Sequence, residues 1–373
     1  MRLLHTADWH LGKTLMNRSL IEDQKFILDE ICKLANPKEI DAIIIAGDVY
    51  DRADPSPEAV DLFDEILFKL TEKKIPVLCI AGNHDNAERL NFGSRLFANK
   101  KFFITTKTAL EPETIPLDDD FGAVYFSLIP YFEPAAIREK FFDKDSERLT
   151  FNAANRFYIG EARKKIPAGK RSVAIAHVFV EGGEESPESE RKIVGTAGKV
   201  DAQIFSGYDY AALGHLHKPH VPENAPENVR YAGSPLKYSA REAKHEKGVT
   251  IVELDAKGFV SAENIPLTPR RDLIDVSGTL NHFLSQPPNN AYAYVTLTDE
   301  TFVYDARQKL SGVFPYIMDA KNKAHSKEFV SAPARKIREE ASLAEQFADF
   351  FEEMTHRALT DDERAAVAEI CGG

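Results

Sequence analysis

Cysteine is scarce: Cys32, Cys79 and Cys371 are the three in 373 residues. They are widely spaced, odd in number and never arranged as C-x-x-C, which argues against a disulfide framework and a thiolate metal site. Long apolar runs are missing too. No stretch approaches the roughly 20 apolar residues that cross a bilayer. Met1-Arg2-Leu3-Leu4-His5-Thr6-Ala7-Asp8 passes into polar residues without the apolar core of a secretion signal. A cytoplasmic protein without membrane contact is expected. No internal repeat is visible. Positive charge is also in short supply, with a formal net charge of −12. Phosphate contacts usually come from a basic surface, but the deficit is uneven. Between Ser342 and Gly373, eight acidic residues (Glu345, Asp349, Glu352, Glu353, Asp361, Asp362, Glu363, Glu369) face only Arg357 and Arg364. That segment carries half of the net charge, so the balance is weak evidence against a nucleic-acid substrate.

What is present is globular. An apolar fraction of 43% excludes wholesale disorder, and 373 residues exceed what one core usually organises. Arg2 to Ala7, Asp41 to Ala46 and Pro76 to Ala81 read as strands, the second β-branched enough to be buried on both faces. Ser56-Pro57-Glu58 ahead of Val60, Leu62, Phe63, Ile66, Leu67 and Leu70 reads as N-cap, N1 proline and apolar stripe of a helix. Strand, helix and strand in this order imply a parallel α/β sheet. Further strands are expected at 123–129, 172–176, 210–213, 228–232, 248–254 and 259–265, with helices around 133–142 and 152–165. Glu181 to Arg191 reads as a surface loop, and Pro266 to Arg271 as a linker. These boundaries give a first domain over 1–266 and a small α+β domain over 272–335, with strands at 273–276, 291–297 and 314–318 and a helix near 304–310. A helical pair spans 342–373. Its first helix carries the apolar stripe Leu343, Phe347, Phe350, Phe351 and Met354, and Thr360-Asp361-Asp362-Glu363 supplies a capping box for the second.

Every chemically suggestive motif falls where an expected strand ends. These are Asp8-Trp9-His10, Gly47-Asp48-Val49-Tyr50-Asp51, Gly82-Asn83-His84-Asp85, His177 and Gly214-His215-Leu216-His217. Loops beyond the carboxyl ends of α/β strands are held rigidly and close together, so the five converge. Asp8 with His10, and His215 with His217, lie two apart on extended chain and would present both side chains on one face. Asp48 can bridge two ions, and Asn83 adds a neutral carbonyl oxygen. A mixed imidazole and carboxylate set favours manganese, iron or zinc over magnesium. Paired divalent ions suit in-line displacement at phosphorus. His84, beside a ligand, fits a general acid or charge stabiliser, with Asp51 accepting its other ring N–H. Arg52 is a candidate phosphate-binding residue. Each motif alone is weak, since a lone D-x-H pair is more often a cap or a surface pair. Five in order, each with suitable ligands, reverse that balance.

The ordered set D-x-H, G-D-x-x-D, G-N-H-D, H and G-H-x-H resembles the calcineurin-like metallophosphoesterases. Within them, His5 to Gly12, Ala46 to Asp51 and Ala53 to Pro57 resemble the SbcD-type nuclease subunits, bacterial relatives of the double-strand-break repair nucleases. The likeness is strong from Met1 to about Leu254 and architectural thereafter. It implies a four-layer αββα sandwich with two manganese ions, one on Asp8, His10, Asp48 and His217, the other on Asp48, Asn83, His177 and His215. It also implies that His84 contacts the scissile phosphate and that Asp51 sits where related phosphatases orient that histidine. The second domain would cap a DNA groove, and the terminal helices would dock on an SbcC-like SMC-type ATPase. The nuclease subunit would form a homodimer within a heterotetramer, at the nucleoid. The expected activity is hydrolysis of DNA ends and hairpins in repair and recombination. The alternatives are a phosphoesterase acting on nucleotides or other small phosphoesters, and a DNA-tethering protein with a vestigial site.

Overall fold

The computed structural model describes residues 1–36, 39–143, 147–186, 198–323, 344–345, 347–348, 351–352 and 357–370. Aliphatic side chains dominate four short parallel strands, β1 (Arg2–Thr6), β2 (Ala42–Ala46), β3 (Val77–Ile80) and β4 (Phe102–Thr105). Every side chain of β2 is buried, because helices cover one face of its sheet and a second sheet covers the other. Helices α1 (Ile21–Leu34) and α2 (Pro57–Glu72) lie on the outer face. Ser56 caps α2 by accepting from the Ala59 N–H, and Pro57 opens it. Leu62, Phe63, Ile66, Leu67 and Leu70 face the core, whereas Val60 lies off their stripe and is exposed.

The second sheet contains β5 (Thr114–Asp119), β6 (Gly122–Ile129), β7 (Arg171–His177), β8 (Tyr210–Gly214) and β9 (Val229–Tyr231), in the order β9-β8-β7-β6-β5. Helices α3 (Pro134–Phe141) and α4 (Phe151–Lys164) cover its outer face. The chain then returns to the first sheet with β10 (Gly248–Asp255), antiparallel beside β1, and β11 (Gly258–Pro266). Leu3, Ile44, Leu78, Phe126, Val173, Ile175 and Ala212 form the core between the sheets, completing the expected αββα layers. The edge strands β4 and β5 were not expected. One has four residues, and the other alternates between half-buried and exposed side chains.

Beyond Pro266, β12 (Leu273–Gly278), β13 (Tyr292–Leu297) and β14 (Ile317–Asn322) form a separate parallel sheet with helices over Leu280–Leu284 and Ala306–Leu310. Its core is built on Phe283, Ala293, Val295, Leu310 and Phe314. The strand expected from Phe314 starts at Ile317, since the Phe314 N–H still donates to Leu310 O (2.8 Å) at the end of the preceding helix. Leu273, Tyr292 and Met318 pack this unit on the first. The capping box closes as expected at the last helix, Asp361–Ile370. The Glu363 N–H donates to Thr360 Oγ1 (3.3 Å), and the Thr360 N–H donates to the Glu363 carboxylate (2.9 Å). Leu343, Phe350 and Met354 of the apolar stripe, 324–335 of the expected second domain and 187–191 of the expected loop lie outside the described residues. Among the described residues no helix is long and apolar enough to cross a membrane.

Candidate metal centre

The five motifs meet past the carboxyl ends of β1, β2, β3, β7 and β8, with His177 the last residue of β7. Asp8, His10, Asp48, His177, His215 and His217 are buried, and Asn83 and His84 are half-buried. Extended two-residue alternation does not orient Asp8 and His10. Asp8, His10 and Asp48 have φ of 53°, 46° and 50°, and His215 has φ of 107°, a region that side-chain-bearing residues avoid. Main-chain hydrogen bonds hold these kinks, from the Asp8 N–H to Gly47 O (3.0 Å), the His10 N–H to Asp48 O (3.0 Å) and the Leu11 N–H to Val49 O (2.9 Å). The His215 N–H donates to the Asp8 carboxylate at 3.0 and 3.2 Å, tying the two sheets together. Close approach also explains two glycines. A Cβ on Gly214 would lie 1.9 Å from Ala46 O, and one on Gly82 would lie 2.1 Å from Asp48 Oδ1.

His10 Nε2 and His217 Nε2 face each other at 3.0 Å. Asp48 Oδ2 lies 3.4 Å from His177 Nε2 and 3.7 Å from His10 Nε2. Asn83 Oδ1 is 3.0 Å from both His177 Nε2 and His215 Nδ1. Ligand atoms of Asp8, His10 and His217, of His10, Asp48 and His84, and of Asp8, Asp48 and His177 form three groups, each within 4.8 Å. Asp8, His10 and Asp48 each belong to two of these. Burial pushes Asp8 up to about 7 against the pull of His177 and His217. Burial also drives His215 down to about 3 and holds His10 well below its ordinary value, so both rings offer lone pairs at neutral pH. Burial opposes ionisation of Asp48, but His177, His10 and His84 keep its carboxyl well below the usual carboxylate range. His177 differs: burial opposes its charge, but Asp48 and Asp8 push it up to about 9, so an ion on its Nε2 would displace a proton. Imidazole nitrogens and carboxylate oxygens gathered without a thiolate are a donor set that suits divalent cations, so the residues fit such ions.

A second layer holds these groups. His217 Nδ1 lies 3.1 Å from Glu242 Oε1. Lys247 Nζ donates to Glu242 Oε2 (2.5 Å), His217 O (2.7 Å) and Ser234 Oγ (2.8 Å). Asp85 accepts from the N–H groups of Val49 (3.1 Å), Tyr50 (2.9 Å) and Gly82 (2.8 Å), fixing two motif loops to one carboxylate. His177 Nδ1 lies 2.9 Å from Ala46 O. Glu242 and Lys247 belong to no motif and carry no sequence signal. Asp85, inside G-N-H-D, carried one.

Asp51 meets the His84 ring, but through its main-chain carbonyl and not its carboxylate. His84 Nδ1 lies 2.8 Å from the Asp51 carbonyl oxygen, while the carboxylate receives Lys13 Nζ (2.8 Å) and lies 3.6 Å from His10 Nδ1. A carbonyl only accepts, so Nδ1 carries the proton and Nε2 is left for another partner. Arg52 lies beside the Asp51 carboxylate with its side chain 77% exposed. By contrast, Arg171, Lys237 and Arg271 are engaged internally: Arg171 pairs with Asp119, Lys237 with Asp272 and Arg271 with Asp23.

Two packed sheets with imidazole and carboxylate groups gathered at their strand ends define a metallophosphoesterase, a hydrolase of phosphoester bonds. Residues 1–219 match the calcineurin-like phosphoesterase family, and residues 269–355 match the SbcD C-terminal family, described as type 5 capsule protein repressor C-terminal domain. The chain is 33% identical over 367 residues to the SbcD subunit of the nuclease SbcCD from Staphylococcus epidermidis, covering 96% of this chain and 95% of that protein. It belongs to the SbcD group of the calcineurin-like phosphoesterases.

Proposed function

We propose that the chain is a manganese-dependent DNA nuclease that works with an SbcC-like ATPase to hydrolyse phosphodiester bonds at DNA ends and hairpins. The observation that carries this reading is the cluster of buried Asp8, His10, Asp48, His177 and His217, whose ligand atoms fall in overlapping groups, in a chain similar along nearly its whole length to a nuclease subunit. Asp8, His10, Asp48 and His217 would hold one ion, and Asp48, Asn83, His177 and His215 the other. When bound, the ions would polarise the phosphoryl oxygens and neutralise charge on the attacking and leaving oxygens. His84, with its Nδ1 proton held by the Asp51 carbonyl, would turn Nε2 toward the scissile phosphate as acid or charge stabiliser. Arg52 would contact a neighbouring phosphate. Residues 1–266 form the catalytic module, 272–335 cap the DNA groove, and 342–373 dock on the ATPase. A homodimer within a heterotetramer, in the cytoplasm at the nucleoid, completes the proposal.

The test compares an end-blocked hairpin oligonucleotide with a soluble aryl phosphodiester, with and without Mn²⁺ and the partner ATPase. Mn²⁺-dependent hairpin cleavage that the ATPase enhances is expected. Intact single- and double-stranded DNA under every condition would sink the proposal, and preferential turnover of the small diester would transfer it to a small phosphoester substrate.

A further inference from the structure

We infer that the small parallel unit beyond Pro266 takes part in holding the metal loop, through a buried relay of Arg271, Asp23 and Gln24. Asp23 and Gln24 are neighbours in the first turn of α1, at 2% and 1% exposure. Successive helical residues point about 100° apart, so one turn can grip two structures. Asp23 faces the small unit. It accepts from Arg271 Nη1 at 3.1 and 3.3 Å and from the Tyr292 hydroxyl at 2.6 Å. Arg271 in turn lies over the Tyr316 ring, 4.5 Å from its centroid, and donates to the Tyr316 hydroxyl (3.2 Å). Gln24 faces the metal loop. Its Nε2 donates to Trp9 O (3.1 Å) and His10 O (2.7 Å), and its Oε1 accepts from the Gly12 N–H (3.0 Å). One side-chain amide therefore spans the loop carrying Asp8 and His10, two residues held in left-handed backbone.

Packing at this seam is incomplete. A cavity of about 250 Å³ lies between the two units, lined in part by Asp23, Arg271, Leu273 and Tyr292. Beside the apolar packing of Leu273, Tyr292 and Met318, the polar contacts of Asp23 give the small unit a direct link to the first turn of α1. A strained loop needs such external support, because its own dihedral preferences oppose the conformation the ligands require. Arg271, Asp23 and Gln24 are positioning residues, acting on the ions only through His10 and its neighbours. The relay rests on the metal-centre reading above.

The chain has a single tryptophan, Trp9, so its emission reports on this loop directly. Mn²⁺ binding is measured by calorimetry and by Trp9 fluorescence in the full chain. Arg271→Ala and Gln24→Ala should each weaken binding on the order of ten-fold and shift Trp9 emission. The double variant should bind no more weakly than the worse single one, since both cut the same relay. Arg270→Ala, which removes the adjacent exposed cation 3.7 Å from Glu22, should bind as the parent does. Tyr292→Phe, a one-atom change, should shift affinity and emission in the same direction as Arg271→Ala but less. If Arg271→Ala does not fold, Tyr292→Phe decides, and parental affinity and emission in it would overturn the relay. Parental Mn²⁺ affinity in a folded Arg271→Ala, or additive losses in the double variant, would overturn it too. A parent chain that binds no Mn²⁺ would remove the metal-centre reading and the relay together.

Discussion

Glu242 sits 3.1 Å from Nδ1 of His217 and 2.5 Å from Nζ of Lys247, so one buried carboxylate orients an imidazole and neutralises an ammonium. Burial alone would raise the Glu242 carboxyl, but Lys247 and His217 hold it well below the usual range. With Nδ1 donating to Glu242, His217 turns an unprotonated Nε2 toward His10. Glu242→Gln keeps the shape and removes the charge, leaving Lys247 buried without its counter-ion. Unfolding in urea should show a loss of about 3–5 kcal/mol. Calorimetric titration should show Mn²⁺ affinity falling about 10–100-fold. Parental values in both measurements would mean that the carboxylate is a bystander.

The role proposed for His84 is tested by separating metal binding from chemistry. His84 is half-buried beside the ligands, and its ring lies edge-on to that of His10 with centroids 4.7 Å apart. His84→Gln should retain metal content by elemental analysis while DNA cleavage falls about 10²–10⁴-fold, the range for losing a positioned acid or base. Equal loss of metal and activity would reassign His84 as a ligand, a role its place in one group with His10 and Asp48 makes worth excluding.

The candidate ligands are legible in the sequence because each sits within a few residues of a strand end, and strand ends are marked by short β-branched and aliphatic runs. Asp48 after Ile43-Ile44-Ile45-Ala46 is the plainest case. The means of convergence is not legible, since nothing in Asp8-Trp9-His10 announces positive φ at both ends. The inner support is hidden for a different reason: Glu242 meets His217 across 25 residues of chain, and Arg271 meets Asp23 across 248. Such contacts depend on how complete layers stack. The partner of His84 shows a finer limit, because residue type identifies Asp51 but not whether its carbonyl or its carboxylate makes the contact.

Asp119 gives a pH test away from the metal centre. Arg171 Nη1 and Nη2 bind its two oxygens at 2.8 and 2.5 Å, the Met1 ammonium lies 2.9 Å from one of them, and these cations, Arg171 foremost, hold its carboxyl below the usual carboxylate range. A depressed folded-state value means that the pair stabilises above the unfolded carboxyl value of about 3.9 and loses that stabilisation as pH falls. Asp119→Asn should therefore be less stable than the parent by about 1–3 kcal/mol at pH 7. The gap should narrow in chemical unfolding series below about pH 4. A gap that stays constant or widens on acidification would show that the charge of Asp119 is not what stabilises.

Arg52 tests the substrate side of the proposal. Its guanidinium is exposed beside Asp51, with Nε 3.7 Å from that carboxylate, too loose and too solvated to serve the fold. Arg52→Ala should leave melting temperature and Mn²⁺ affinity unchanged. If the side chain contacts one phosphate in the bound substrate and the transition state alike, KM for DNA should rise while kcat holds. The slope of log affinity against log salt should then fall by about one contact. A drop in kcat at unchanged KM would instead place Arg52 against the charge that develops at the scissile phosphate, and an unchanged salt slope would remove it from the DNA path.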